Sequence, residues 1–326
     1  MTRSRARSSA LLIVALVIGG GVGAAVWSLL AAPRPSFVEY KTEAMETPTA
    51  IAAAPDGTVW FTMDLSAAIG RVRDGRLERL PTPDAGLQPL GLGVAADGGV
   101  WYTDTGAHAV AHMSKDGVVS RFSLDTPSVR LARLAVAPDG AAWFAEPTGY
   151  SVTRLKDGML TRHVFDTANG VPYGVAAAPD GTVWATLQGE NQLIRIAPSG
   201  EMQSFDLPRQ GALPSDIALG PDGSVWFIEF RADRIAHFAN GRFEEFEVGE
   251  QGAALSGLAV APDGTVWFSM LRLGSIGRLH DAKVDRYPLP RAHARPFSVA
   301  IDRAGNVWYA DISGYVGKLE AAALAR

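Results

Sequence analysis

Short runs of alternating apolar and polar residues, separated by turn-forming residues, fill the chain from residue 36 onward. One unit reads Leu258-Ala259-Val260, then a Pro-Asp-Gly turn, then Val-Trp-Phe. An alternation with a period of two predicts half-buried strands, and Asp-Gly between two apolar runs predicts a hairpin turn. Two more alternating runs follow at residues 276–279 and 284–287, so the unit predicts four short strands.

This unit recurs seven times along the chain. Successive tryptophans of the unit are 41 or 42 residues apart, and a glycine stands three residues before each of them. The centre of the preceding strand is alanine in six units and Gly93 in the other, which indicates a crowded inner strand. The seven tryptophans are Trp60, Trp101, Trp143, Trp184, Trp226, Trp267 and Trp308. Four short strands repeated at this period are typical of a β-propeller.

The two ends of the repeat region predict how the ring closes. The seventh unit stops after its third strand at residues 316–319, and the pattern of the missing fourth strand is found at Phe37–Lys41. Pairing these two strands would close the ring and leave no exposed edge. The sequence therefore predicts an all-β fold, a seven-bladed β-propeller with four-stranded antiparallel blades, over residues 33–326.

The N-terminal segment predicts an exported or membrane-anchored protein. Residues 1–9 carry three arginines and no acid, and residues 10–32 carry no charge. This apolar run is long enough to span a bilayer as a helix, whereas the apolar part of a cleavable signal usually has about 7–15 residues. We therefore expect a cytoplasmic tail at 1–9, a transmembrane anchor at 10–32 and an extracytoplasmic propeller. A cleaved signal, giving a secreted or periplasmic propeller, is the alternative.

Composition narrows the classes of function. The chain has no cysteine, which excludes disulfides, thiolate metal sites and cysteine nucleophiles. Its net charge is −4, and −7 without residues 1–9, so no broad basic surface for nucleic acid is predicted. We expect a monomer whose partners are the membrane, through residues 10–32, and a small-molecule or protein ligand on one face of the propeller.

The unit Pro-Asp-Gly-x-Val-Trp-Phe, followed by Ile-Gly-Arg, resembles the repeat of the virginiamycin B lyase (streptogramin lyase) family over residues 37–319. The resemblance implies a lyase that opens a cyclic depsipeptide at its ester by elimination, with a histidine base and Mg²⁺. It also implies a site pattern, with a histidine eleven residues before the tryptophan in two adjacent blades and two glutamates nearby. Such a set suits the reaction, because imidazole removes a proton next to a carbonyl that carboxylate-bound Mg²⁺ polarises.

This sequence lacks the histidines of that pattern. The residues eleven before the tryptophans are Thr49, Leu90, Ala132, Tyr173, Ser215, Ser256 and Phe297. Three residues after the tryptophans, where the pattern has one of its glutamates, four blades carry an acid. The resemblance therefore assigns no general base, and no catalytic residue is predicted.

Seven residues are candidates for a ligand site on the face where the inner strands begin. The carboxylates Asp104, Glu146, Glu229 and Asp311 could form a ring that binds a cation or a basic ligand, or each could pair with a nearby arginine. Arg133 and Asp216 stand where the other blades have Ala, Gly or Ser, and we expect both at the mouth of the central channel. His293 is the histidine best placed on this face, in a loop between two arginines.

Three functions are consistent with these residues, and we favour a binding module without the family's lyase chemistry, because a propeller fold does not determine a function. The first alternative is a lyase that acts on a streptogramin B or a related ester. Its metal site would be rebuilt around Glu146, Glu229, Asp311, His293 and Arg133, with Mg²⁺ as the cofactor that the resemblance implies. The second alternative is a Ca²⁺-dependent hydrolase of the lactonase type, which needs carboxylate and amide ligands at the channel mouth.

Overall fold

Seven four-stranded antiparallel sheets make up the fold, as the repeat predicts. The first strand among the described residues is β1 (Phe37–Lys41). Blades 1 to 3 contain β2 (Thr47–Ala53), β3 (Val59–Asp64), β4 (Ala68–Arg73) and β5 (Arg76–Pro81); β6 (Leu92–Val94), β7 (Val100–Asp104), β8 (Ala109–Met113) and β9 (Val119–Ser123); and β10 (Leu134–Val136), β11 (Ala142–Glu146), β12 (Ser151–Lys156) and β13 (Met159–Val164).

The remaining blades follow the same order from the inner strand to the outer strand. Blades 4 and 5 contain β14 (Pro172–Ala177), β15 (Val183–Leu187), β16 (Gln192–Ile196) and β17 (Met202–Asp206); and β18 (Pro214–Leu219), β19 (Val225–Glu229), β20 (Arg234–Ala239) and β21 (Arg242–Glu247). Blades 6 and 7 contain β22 (Leu255–Val260), β23 (Val266–Met270), β24 (Ser275–His280) and β25 (Lys283–Pro288); and β26 (Pro296–Ile301), β27 (Val307–Asp311) and β28 (Tyr315–Leu319), with β1 as the fourth strand. Short 3₁₀ turns lie at Pro147–Gly149, Leu271–Leu273 and Ala321–Ala323.

This computed structural model describes residues 35–83, 88–125, 130–166, 169–249 and 251–324. The tail predicted at 1–9 and the anchor predicted at 10–32 lie outside these residues. Within the described ranges, no helix is both long enough and apolar enough to cross a membrane.

The Asp-Gly pair of blades 1 to 6, replaced by Ala304-Gly305 in blade 7, forms the hairpin between the first and second strands. In blade 6, Gly264 has a φ of 84°, a backbone conformation that favours glycine. Asp263 Oδ1 accepts a hydrogen bond of 2.9 Å from the Thr265 N–H and so holds the turn. The repeated Asp-Gly is therefore a structural feature, located on the face opposite the candidate residues.

The glycine of the Ile-Gly-Arg segment leaves room for an aromatic ring on the neighbouring strand. Gly277 pairs with Phe268, and a Cβ at Gly277 would lie 2.2 Å from the phenyl ring. Blade 4 has the reverse arrangement, because Ala185 replaces the aromatic residue and its partner is the larger Ile194. The two strands thus fill the same volume in different ways.

Strand β1 closes the ring. It pairs antiparallel with β28, from Phe37 opposite Leu319 to Lys41 opposite Tyr315. The Tyr309 hydroxyl donates a 2.7 Å hydrogen bond to Glu39 on β1, and Arg291 Nε donates one of 2.9 Å to the same carboxylate. Strand β1 is therefore joined to blade 7 by backbone pairing and by a partly buried polar cluster.

Candidate ligand-binding face

The inner strand of each blade begins on the face where the second strand ends, and all seven candidate residues lie on or beside that face. Several inner strands carry a β-bulge there. In blade 5 the register shifts between Pro214 and Ile217, so that Ser215 and Asp216 bulge out of the ladder. Bulges redirect side chains, and this one directs Asp216 toward the channel mouth.

The structure brings Arg133 of blade 3 and Asp216 of blade 5 together across the channel mouth. Arg133 Nε lies 3.1 Å from Asp216 Oδ1, and both side chains are largely buried, with 8% and 13% of their surface exposed. Asp216 Oδ2 also accepts a hydrogen bond of 3.2 Å from the backbone of Leu258. This buried ion pair connects blades 3, 5 and 6.

Through its guanidinium group, Arg133 also contacts residues of blades 2, 4, 6 and 7. Its two terminal nitrogens donate to the carbonyl of Leu90 at 3.1 Å and to that of Ser256 at 3.2 Å. The ring of Tyr173 lies 5.8 Å from the guanidinium carbon and that of Phe297 lies 5.4 Å from it. Arg133 therefore fills the mouth and holds it in a fixed geometry.

Burial and charge act in opposite directions on this pair. Burial lowers the pKa of Arg133, but Asp216 and Tyr173 counteract it, so the pKa stays above its usual value. Burial raises the pKa of Asp216, and the positive charge of Arg133 opposes that shift. Each charge at the mouth thus depends on its partner.

Tyr173 and Phe297 are the mouth residues that the sequence analysis did not single out. Both occupy the position eleven residues before the blade tryptophan, where four of the other blades have Thr, Ser or Ala. Their side chains are much larger than the Thr, Ser or Ala at this position in four other blades, and this difference could have identified them. A single aromatic residue in a repeat is more often part of the core, and only the structure places these rings beside Arg133.

Two of the candidate carboxylates contact an arginine on the fourth strand of their own blade. Arg121 Nη2 lies 3.6 Å from Asp104 Oδ2, and Arg162 Nε lies 3.4 Å from Glu146 Oε1. The hydroxyl of Thr153 also donates a hydrogen bond to Glu146. Burial raises the pKa of Asp104, although the Ala107 N–H donates to it at 3.0 Å. Both carboxylates are buried within their blades, away from solvent.

Asp311 has a complete set of hydrogen-bond donors. Arg291 Nη2 lies 2.6 Å from Oδ2, and the backbone N–H of Arg295 donates to the same oxygen at 3.0 Å. The backbone and hydroxyl of Ser313 donate to Oδ1 at 2.8 and 2.6 Å. These contacts hold two loops of blade 7 in place, which is a structural role.

Glu229 is the exception among the four carboxylates. It is fully buried, and neither of its oxygens accepts a hydrogen bond from any residue that the structure describes. Arg209 Nε lies 3.9 Å away, and the same arginine donates to Glu245 at 2.9 Å. Burial, and then the nearby charge of Glu245, raise the pKa of Glu229 to about 7.

His293 lies in the loop before β26, with an exposed side chain and a φ of 62°. Arg291, two residues earlier, points to Asp311 and Glu39. His293 therefore belongs to the surface of blade 7, while the ion pair of Arg133 lies at the mouth.

The candidate residues do not fit a Mg²⁺ or Ca²⁺ site. The four acids end the second strands of blades 2, 3, 5 and 7, and the oxygens of Asp311 are already engaged by four donors. Among the described residues, no group of three or more His, Asp or Glu side chains lies close enough to hold a metal ion. These residues instead form ion pairs, and Arg133 fills the channel mouth.

The fold and this face define the class, a seven-bladed β-propeller closed by its N-terminal strand. The chain belongs to the virginiamycin B lyase family, whose family model matches residues 36–155 and 85–324. It is 33% identical over 192 residues to a protein named virginiamycin B lyase from Nocardia farcinica (strain IFM 10152). That match covers 59% of this chain and 51% of the relative, so the chain spans about half the length of the curated relative that it matches.

Solved structures of lyases share the fold. A streptogramin B lyase is 24% identical, with a TM-score of 0.83 over 87% of this chain and 97% of that chain. A catalytically inactive histidine-to-alanine variant of virginiamycin B lyase from Staphylococcus aureus, solved with quinupristin, is 24% identical. Its TM-score is 0.81 over 87% of this chain and 99% of that chain. At this identity the likeness shows a common architecture.

Proposed function

We propose that the chain is a ligand-binding propeller that lacks the elimination chemistry of its family's lyases. The observation that carries the proposal is the composition of the channel mouth. The side chains there are Arg133, Asp216, Tyr173 and Phe297, and no histidine stands eleven residues before any blade tryptophan. A general base must reach the proton that it removes, and the carboxylate at the mouth, that of Asp216, is paired with an arginine.

The structure of the Staphylococcus aureus lyase variant also supports this proposal, because it shows which residue type that lyase needs. In that lyase a histidine-to-alanine variant is catalytically inactive, so its activity depends on a histidine. The corresponding pattern is absent here, and His293 lies on the exposed surface of blade 7. The proposed binding protein therefore has the fold of the family but lacks the histidine base of the lyases.

Calorimetric titration of the full-length protein with Mg²⁺ and with Ca²⁺ tests the proposal against both enzyme alternatives. We expect no saturable heat from either ion, because the described residues of this face bring no three carboxylate or histidine side chains close enough to hold a metal ion. Saturable binding that is lost in both Glu146→Gln and Glu229→Gln would favour a rebuilt metal site, and thus an enzyme. The exposed variant Glu201→Gln is the matched control for the loss of a negative charge.

We also propose that the propeller acts outside the cytoplasm as a monomer, held at the membrane by residues 10–32 and binding a small molecule or a protein. The support is the sequence alone, since residues 1–9 are basic and 10–32 are uncharged. Cell fractionation tests it: the full-length chain should stay in the membrane fraction after an alkaline carbonate wash. A shortened chain in the soluble exported fraction would contradict the anchor and indicate a cleaved signal.

A further inference from the structure

A second feature of the ligand-binding face is a cleft of about 250 Å³ formed by loops of blades 1, 2 and 3. Pro89, Leu90 and Leu131 form its apolar wall, and Asp64 and Arg130 are its charged residues. The cleft adjoins the channel mouth, because Arg133, which fills the mouth, donates a hydrogen bond to the carbonyl of Leu90. Its volume is below the about 300–1,000 Å³ of pockets for drug-sized ligands, so it suits a smaller molecule.

The cleft holds two opposite charges that are not paired with each other. Asp64 Oδ1 accepts a hydrogen bond of 2.9 Å from the backbone of Leu65, and no described cation forms an ion pair with Asp64. The backbone N–H of Arg130 donates to Thr148, while its exposed guanidinium has no ion pair among the described residues. The carboxylates Asp104, Glu146 and Asp311 on the same face all have an arginine.

These two charges are departures from the repeat. Four residues after the tryptophan, Asp64 is the acid of blade 1, whereas the other blades have Thr105, Pro147, Gln188, Phe230, Leu271 and Ile312. Thirteen residues before the tryptophan, blade 3 has Arg130 and blade 7 has Arg295, and the remaining blades have uncharged residues. Scaffold contacts repeat from blade to blade, whereas a binding site breaks the repeat.

Thr105 fixes the wall between the two charges. Its hydroxyl donates to the carbonyl of Leu131 at 3.4 Å and accepts from the Leu131 N–H at 3.1 Å. Leu131 itself is buried, while Leu90 is partly exposed. The cleft therefore has a rigid apolar side, with a carboxylate from blade 1 and a guanidinium from blade 3.

We propose that this cleft binds a free α-amino acid with an apolar side chain. The ligand carboxylate pairs with the guanidinium of Arg130, and the ligand ammonium pairs with Asp64. The aliphatic side chain packs on Pro89, Leu90 and Leu131. The assignment names a ligand for the face discussed above and so rests on the proposed binding function.

Calorimetry on the full-length protein with L-leucine as the probe tests this assignment. Two analogues each lack one charge: 4-methylpentanoate has no ammonium, and 3-methylbutylamine has no carboxylate. We expect saturable binding of L-leucine and at least ten-fold weaker binding of both analogues. Absence of saturable binding, or equal affinity for all three compounds, would overturn the proposal.

Two variants and one matched control locate the site. Arg130→Gln and Asp64→Asn should each weaken L-leucine binding at least ten-fold, and the weakened binding should then depend on one charge of the ligand only. Arg295→Gln, at the equivalent position in blade 7, should bind L-leucine as the native chain does. An equal loss in Arg295→Gln, or no loss in the two cleft variants, would contradict the assignment. Thermal melts confirm that each variant is folded.

Failure of this inference is distinguishable from failure of the proposed function. A chain that neither binds L-leucine nor opens a streptogramin B refutes the amino-acid cleft alone. A chain that opens a streptogramin B refutes the proposed function, whatever it binds in the cleft.

Discussion

Two residues that are far apart in sequence, Arg133 and Asp216, determine the geometry of the channel mouth on the candidate ligand-binding face. Each is costly to bury alone, and together they form an ion pair at 3.1 Å with three further hydrogen bonds to blades 2 and 6. A buried pair of this kind contributes little beyond what two well-packed apolar residues would, but breaking it leaves one charge uncompensated. The pair therefore defines the geometry of the mouth more than it adds stability.

Arg133→Ala should lower the free energy of unfolding by about 3–5 kcal/mol, because Asp216 would remain buried without its partner. Urea denaturation at neutral pH measures this change. The double variant Arg133→Met with Asp216→Leu should recover most of the loss, since no unpaired charge remains. Equal stability of Arg133→Ala and the native chain would show that the pair is absent or solvated.

Glu229 predicts how stability depends on pH. Its pKa is about 7 in the folded protein against an ordinary value of 4.5, so the folded state holds the proton more tightly than the unfolded state. The free energy of unfolding should therefore be highest below about pH 4.5, where Glu229 is protonated in both states. It should fall by about 2–3 kcal/mol as the pH rises to 7. Thermal melts from pH 4 to 8 measure it.

Glu229→Gln should remove this dependence and make the variant more stable than the native chain at pH 8. The control Glu201→Gln, on the exposed β16–β17 hairpin, should keep the native profile. A native profile in Glu229→Gln would mean that Glu229 does not titrate in this range.

At the scale of the strand, the repeat explains most of what the sequence predicts. Every unit has the turn glycine and the tryptophan, and six of the seven units have all four strands in order, so the copies support one interpretation. The Asp-Gly turn at Gly264 and the closing strand Phe37–Lys41 follow directly from that pattern. The pairing of Gly277 with Phe268, and of Ile194 with Ala185, needs the register between two strands and is visible only in the structure.

Removal of residues 36–42 should destabilise the whole propeller. Blade 7 would lose the outer strand β1 and the contacts of Glu39 with Tyr309 and Arg291. We expect the melting temperature to fall by more than about 10 °C, because each kcal/mol corresponds to about 2–4 °C in a chain of this size class.

The variant Glu39→Gln is the control for the deletion, since it keeps every backbone pair of β1 and removes only the charge. It should lose about 1–3 kcal/mol. A deletion variant that melts within a degree or two of the native chain would contradict ring closure by β1.

At the scale of the whole molecule, the sequence could predict the ring and could place Arg133 and Asp216 at its mouth, but it could not predict that the two pair with each other. A seven-fold repeat describes what all blades share, whereas the mouth depends on contacts among residues of blades 2 to 7. The pairing joins Arg133 of blade 3 to Asp216 of blade 5, which are not neighbouring blades, and no periodic signal connects two such residues. The same reason applies to Asp64 and Arg130, whose loops meet in one cleft only after the ring has closed.

The four candidate carboxylates show most clearly what a sequence pattern cannot predict, namely the contacts that each side chain makes. Asp104, Glu146, Glu229 and Asp311 have equivalent positions in sequence, yet Asp311 has four donors and Glu229 has no hydrogen bond from the described residues. Their neighbours lie on other strands and loops, and so position alone could not distinguish a structural acid from a free one.

The most direct test of the central claim is a single reaction of the full-length protein with a streptogramin B and Mg²⁺, followed by liquid chromatography and mass spectrometry. Virginiamycin B lyase from Staphylococcus aureus serves as the positive control. We predict that the antibiotic keeps both its retention time and its mass. A product with a new retention time and unchanged mass would demonstrate elimination, and a gain of one water would demonstrate hydrolysis. Either product would contradict a binding propeller without the family's chemistry.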